Sequence, residues 1–270
     1  MFKKALSLIL AISLVIPVGI STAATEKEPK EKDPEKILLK AGFPQSLLDT
    51  WPDNVKQDWV DRGVTKYEGQ VSQYYKRDTE TGKLNLEQTV DSSTGPGDVS
   101  LMGTIPSSDM VFRITRASSG TRTWGIQNEI EWLNPDFIMG PEDTLATSWS
   151  SNLRAYGNTF SCYQMYKDSA GIFRNDPPGN CGGQPFNAEE KGVAWKIDFT
   201  NGFDGYKAYS LQTVYVSNGS TSGTASIYSR YAHDTSSNYQ IQVNFANYGS
   251  IAFSSSGSFD QAANQNDWTY

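Results

Sequence analysis

The chain has 270 residues, with 23 Lys and Arg against 30 Asp and Glu, for a formal net charge of −7. This length suits one main domain with appendages. The acidic balance excludes a nucleic-acid partner, which needs a basic face. Aromatic residues at 12% are too many for a disordered chain.

Residues 1–24 read as a secretory signal peptide. Lys3 and Lys4 precede an apolar run from Ala5 to Ile20, and Ser21, Thr22, Ala23 and Ala24 supply a small-residue cleavage site. The run is short for a membrane span and contains Pro17 and Gly19, so the sequence predicts cleavage and secretion without stable membrane insertion. A compact leader of this kind points to a bacterial, extracellular protein, and the final Asp267-Trp268-Thr269-Tyr270 carries no sorting signal. Export permits a disulfide, and Cys162 and Cys181 are expected to pair across a loop rich in turn formers.

Residues 25–36 alternate in charge around Pro29 and Pro34 and read as a solvated linker. Residues 37–63 read as a short helical cap, with start signals slightly earlier: Asp33 suits an N-cap and Pro34 a first helical position. Gly42 suits a stop, Pro44 and Pro52 restart the chain, and Gly63 closes it. Leu47, Leu48 and Trp51, then Val55, Trp59 and Val60, supply apolar faces. Three helices this short need a tertiary partner, either the main domain or another protein.

From Tyr67 the hydrophobic period changes to two. Residues 64–270 are therefore expected to form an antiparallel β-sandwich or jelly-roll-like domain, mainly β in class. A hairpin is expected across 78–83. Further strands are expected at 99–105, 110–116, 122–133, 144–154, 158–166 and 192–199. Residues 206–216 and 224–232 read as two amphipathic strands joined by 217–223. The clearest alternation is at Tyr239, Ile241, Val243 and Phe245, and 249–259 continues it.

Several residues are candidates for chemistry. Glu129 and Glu131 stand two apart in a strand and so share a face, as an acid and a nucleophile acting on a glycosidic bond would. Residues 128–133 resemble the E-I-D-x-E strand of laminarinase-like jelly-roll glycosidases, with Leu133 where that family places its acid. The resemblance implies glycan hydrolysis through Glu129 and Glu131. His233, the single histidine, suits a general base. Calcium is a candidate ligand of two loops, one holding Asp198, Asn201 and Asp204, the other Asp168, Asn175 and Asp176. No spacing for another metal or for a cofactor is present.

Trp124, Trp132, Trp149, Tyr156, Tyr163 and Tyr166 are candidate stacking residues for a polysaccharide or cell-surface polymer. The reading that accounts for most of these features is a secreted, non-catalytic binding module for glycan or cell-wall polymer. A glycoside hydrolase, a module that docks a protein partner, and a β-pore former built from 206–245 are the alternatives.

Overall fold

The computed structural model describes residues 33–92, 108–134, 143–157, 159–175, 181, 185, 187–197, 199, 205–234, 241–255 and 257–270. The leader, residues 25–32 and the strand expected at 99–105 lie outside them. Asp33 caps α1 (Pro34–Lys40), its carboxylate accepting the Glu35 amide at 3.1 Å. The helix thus begins at Pro34, inside the segment read as linker. α2 (Gln45–Leu48) follows Pro44, and α3 (Asp53–Asp61) follows Pro52. Gly42 and Gly63 end α1 and α3 at φ of 86° and 67°, a conformation that carries no Cβ penalty in glycine.

The β elements are β1 (Lys66–Arg77), β2 (Leu84–Asp91), β3 (Met110–Gly120), β4 (Thr123–Trp132), β5 (Asp143–Trp149), β6 (Leu153–Ala155), β7 (Ser161–Lys167) and β8 (Phe173–Asn175). They continue as β9 (Asn187–Glu189), β10 (Gly192–Ile197), β11 (Tyr206–Val216), β12 (Thr224–Asp234), β13 (Gln242–Asn244), β14 (Ala252–Ser254) and β15 (Phe259–Thr269). One sheet runs β2-β1-β3-β4-β11-β7-β8, with β6 also paired to β11. The second runs β15-β12-β5-β10-β9, and β13 and β14 form a separate ribbon. All pairings are antiparallel.

The protein is a mainly antiparallel β structure with a few helices. Ile126, Ile130 and Trp132 of β4 meet Leu145, Trp195, Ile227 and Tyr231 of the second sheet in the sandwich core. Side chains alternate along a strand, so the odd-numbered residues of β4 lie on the opposite, outer face. The helices cover that face. Leu38, Phe43, Leu48, Trp51, Val55 and Trp59 pack there with Ala117, Met165, Tyr209 and Leu211. The backbone of β4 and one indole meet closely at Gly125, where a Cβ would lie 2.5 Å from Trp59 Cζ3. The Trp59 Nε1–H then donates to Gln127 Oε1 at 2.7 Å, which fixes the ring against the strand.

Four features depart from the sequence reading. The two strands at 206–232 do not pair: β11 belongs to the first sheet and β12 to the second, so 217–223 crosses between layers. β11 is almost wholly buried, because the core takes one face and the helical cap the other. The strand expected at 144–154 divides into β5 and β6, which also lie in different sheets. Of the clearest alternating segment only Gln242–Asn244 is strand among the described residues.

The fourth departure is β15, one of the most regularly alternating strands, which the pattern did not mark. Its buried side reads Asp260, Ala262, Asn264, Asn266 and Trp268. Asn264 Nδ2 donates to the carbonyls of Val71 (3.2 Å) and Phe112 (2.8 Å), and Asn266 Oδ1 accepts from Arg116 at 2.7 Å. Hydrogen bonds rather than hydrophobicity make that face compatible with burial.

Cys162 and Cys181 form the expected disulfide, with Cα atoms 5.3 Å apart. For the cap, Gly125→Ala is expected to destabilise the fold by about 1–3 kcal/mol, since Trp59 must leave its seat. Chemical denaturation followed by tryptophan fluorescence measures this, and an unchanged midpoint would show that the cap is not seated through Trp59.

Candidate functional site

Glu129 and Glu131 do share a face of β4, but it is the face beneath the cap. One nitrogen of Arg113, Nη1, donates to Glu129 Oε1 and to Glu131 Oε2, each at 2.7 Å. Lys207 Nζ lies 3.1 Å from Glu131 and 4.0 Å from Glu129. The Trp51 indole N–H reaches Glu129 at 3.4 Å, and the Phe173 ring covers the Lys207 ammonium at 4.3 Å.

Two carboxylates and two cations thus close on one another. Burial works to raise the Glu131 carboxyl, but Arg113 and Lys207 outweigh it and hold it below the usual range. Burial likewise opposes the charge on Arg113, yet Glu129 and Glu131 raise its pKa. Burial, with the same two carboxylates, pushes the Tyr209 hydroxyl well up. A glycosidase acid must keep its proton until the leaving group takes it. This arrangement favours the opposite state, and Leu133 beyond the end of β4 is exposed.

The six candidate stacking residues separate into two groups. Trp124, Trp132 and Trp149 are buried in the sandwich core. Their indole N–H groups donate to Glu68 Oε2 (3.1 Å), the Tyr231 hydroxyl (2.8 Å) and the Glu190 carbonyl (2.8 Å). Tyr166 is partly buried against the same core. Tyr163 donates to Asp58 Oδ2 at 3.1 Å, and burial and that carboxylate push its hydroxyl up to about 12. Tyr156 is different. It is 44% exposed and stacks on Tyr215, with ring centroids 4.5 Å apart and planes at 28°.

Tyr156 lines a pocket of about 460 Å³ together with Asp61, Arg62, Ser119, Phe160 and Thr213, among others. Arg62 follows α3 directly and builds the polar floor. Its Nη1 donates to the Thr159 carbonyl (2.6 Å) and Thr213 Oγ1 (3.2 Å), and its Nη2 to Ser161 Oγ (2.7 Å) and Asp58 (3.0 Å). The Ser161 hydroxyl also donates to Asp58. The cap, β7 and β11 are thereby tied together at one wall of the pocket. Sequence reasoning identified Tyr156 but not Arg62, Asp58 or the threonines. The available signal was the Asp58–Arg62 spacing, an i,i+4 pair at a helix end.

His233 lies in the second sheet, 1% exposed, with Nδ1 2.8 Å from Asp143 Oδ1. Tyr231 donates to the other oxygen of Asp143. Asp260 stands opposite His233 on β15 and pairs with Arg77 at 3.2 Å. Burial acts to lower the histidine, but Asp143 outweighs it through charge and hydrogen bonding, and the net shift is upward. The ring is thus sealed into the sandwich beside the Asp143 carboxylate.

Of the two calcium loops, Asp198, Asn201, Asp204, Asp176 and the Asn175 side chain lie outside the described residues. Asp168 Oδ1 accepts the amides of Ala170 (3.0 Å) and Ile172 (2.9 Å), and its Oδ2 accepts Arg174 Nε at 2.9 Å. It therefore holds a turn, as an Asx residue does. No group of three or more His, Cys, Asp or Glu placed to hold a metal occurs among the described residues. Nor is any described helix long and apolar enough to cross a membrane.

No family model and no curated protein matches the sequence. Solved structures give weak likenesses. The KRT10-binding region domain of the pneumococcal serine-rich repeat protein PsrP matches at TM-score 0.33 and 14% identity, over 71% of this chain and 99% of that one. A collagen-binding domain from a Staphylococcus aureus adhesin matches at 0.26 and 6%, over 52% and 86%. A structure described as a pore forming protein matches at 0.28 and 7%, over 72% and 95%. Scores of this size carry no argument about function, which must come from the residues.

Two measurements check the buried charges. Arg113→Met leaves two carboxylates without their shared donor and should cost about 3–5 kcal/mol by chemical denaturation, and a loss under 1 kcal/mol would show that Lys207 alone suffices. His233 binds its proton more tightly folded than unfolded, so its stabilisation is complete below the unfolded value of about 6.5 and fades as pH rises through the folded value. Asp260, raised mainly by burial, acts in the same direction but near the carboxylate range. Thermal midpoints are therefore expected to fall from pH 6 toward pH 8 in the native protein and not in His233→Gln. Parallel profiles would remove His233 as the cause.

Proposed function

We propose that this chain is an exported, extracellular binding module for a glycan or cell-wall polymer, and that the Tyr156 pocket is its binding site. The supporting observation is the exposed Tyr156 ring, braced from behind by Tyr215, at the edge of a pocket with a rigid polar floor. A sugar ring presents an apolar face to an aromatic plane, and its hydroxyl groups exchange hydrogen bonds with the surrounding polar groups. Tyr156 enters this contact already held, so little side-chain entropy is lost on binding.

A catalytic reading would assign hydrolysis to Glu129 and Glu131. Their mutual neutralisation through Arg113 and Lys207, beneath Trp51, supports instead a role in seating the cap. The three core tryptophans have their faces occupied by protein, so recognition is assigned to Tyr156 rather than to the wider aromatic set.

Retention on purified cell walls and insoluble polysaccharides tests the proposal. Tyr156→Ala should weaken retention on the order of tenfold while leaving the thermal midpoint nearly unchanged. A folded variant that is retained as well as the parent would show that the site lies elsewhere.

A further inference from the structure

The charge of the ligand follows from the groups around the same pocket. Asp58, Asp61 and Arg62 are the charged side chains that line it. Arg62 and Asp58 cancel: the guanidinium is 5% exposed and lies 3.0 Å from the carboxylate. Asp61 is exposed, accepts only the neutral Gln57 amide at 2.7 Å, and makes no ion pair among the described residues. Arg122, between the lining residues Ser119 and Thr123, does not itself line the pocket and donates to the Ser220 carbonyl. Among the described lining residues, the mouth of the pocket therefore carries one uncompensated negative charge.

That charge is also badly placed for the helix. Asp61 is the last residue of α3, whose final turn holds no basic residue. A carboxylate at a helix C-terminus opposes the aligned backbone dipoles. The Gln57 hydrogen bond and the Arg62 cation at the same helix end offset that opposition, so Asp61 is held in place beside the exposed ring.

Building on the Tyr156 reading, we propose that Asp61 is a specificity residue that turns away anionic polymers, so that the ligand is a neutral polysaccharide. Contact between Tyr156 and a sugar face does not depend on charge. Repulsion from Asp61 acts within a screening distance of about 8 Å at physiological salt and falls on any carboxylate or phosphate carried along the polymer.

The test uses the full secreted chain and matched beads: cellulose and chitin, their carboxymethylated forms, and their hydroxyethylated forms as bulky neutral controls. The native protein should be retained on at least one neutral bead and its hydroxyethylated form, and about tenfold less on the carboxymethylated form, with the gap narrowing in high salt. Asp61→Asn should keep neutral retention and recover most of the carboxymethylated retention. Equal retention of the native protein on neutral and carboxymethylated beads, or a gap that survives Asp61→Asn, overturns the role of Asp61 while leaving the Tyr156 site in place. Retention that Tyr156→Ala does not reduce, or no retention on any bead, overturns the Tyr156 reading and this inference with it.

Discussion

The contact between Trp59 and the bare backbone of β4 at Gly125 organises much of this molecule. A β-sandwich needs only its inner faces covered, and an outer face of a sheet normally meets water. Here an indole lies where a side chain would stand, and the three short helices follow it down onto the sheet. Their burial leaves Gln127, Glu129, Lys207 and Tyr209 without solvent. Each then finds a partner inside the contact: Trp59 for Gln127, Arg113 and Trp51 for Glu129, Glu131 for Lys207, and the Thr50 carbonyl for Tyr209 at 3.2 Å. Removing one member of such a group is costly because the others remain buried and charged. The floor of the Tyr156 pocket belongs to the same contact, since Arg62 extends from the cap to β7 and β11. Recognition, on the proposal made above, takes place where two separately coded pieces of chain are joined.

The parts of the fold legible in sequence are those that local physics decides. Asp33, Pro34, Gly42, Pro44, Pro52 and Gly63 each act within a turn of chain, and the helices start and stop with them. The antiparallel class followed from alternation, and the disulfide from the expected export and the count of cysteines. Alternation was less informative where both faces of a strand are covered or where the buried face is polar. β11 shows the first case, with cap on one side and core on the other. β15 shows the second, with Asn264 and Asn266 facing inward on specific hydrogen bonds and Asp260 on an ion pair with Arg77. Sheet membership was not legible at all, because the crossing at 217–223 looks like any other polar loop.

The candidate site was legible in fragments. The Glu129 and Glu131 pair stood out correctly as two carboxylates on one face. Their meaning depended on Arg113 and Lys207, which come from different strands and are joined only by register: Arg113 opposite Glu129, and Lys207 opposite Glu131. Trp124, Trp132 and Trp149 could not be told from ligand-facing rings by composition, because large aromatics serve cores and surfaces alike. Tyr156 differs from them in being 44% exposed, with Tyr215 stacked behind it.

The two ends of the β domain also meet. The Tyr75 hydroxyl donates to the Ala263 carbonyl at 2.5 Å and accepts the Ala263 amide at 3.0 Å, across 188 residues of chain. A strand near the start of the domain thus completes its hydrogen bonds with a segment far along the chain. Such distant closure makes for slow folding and keeps early strands from settling alone. The order of the strands thus makes closure of the sandwich wait on the pairing of two of its most distant segments.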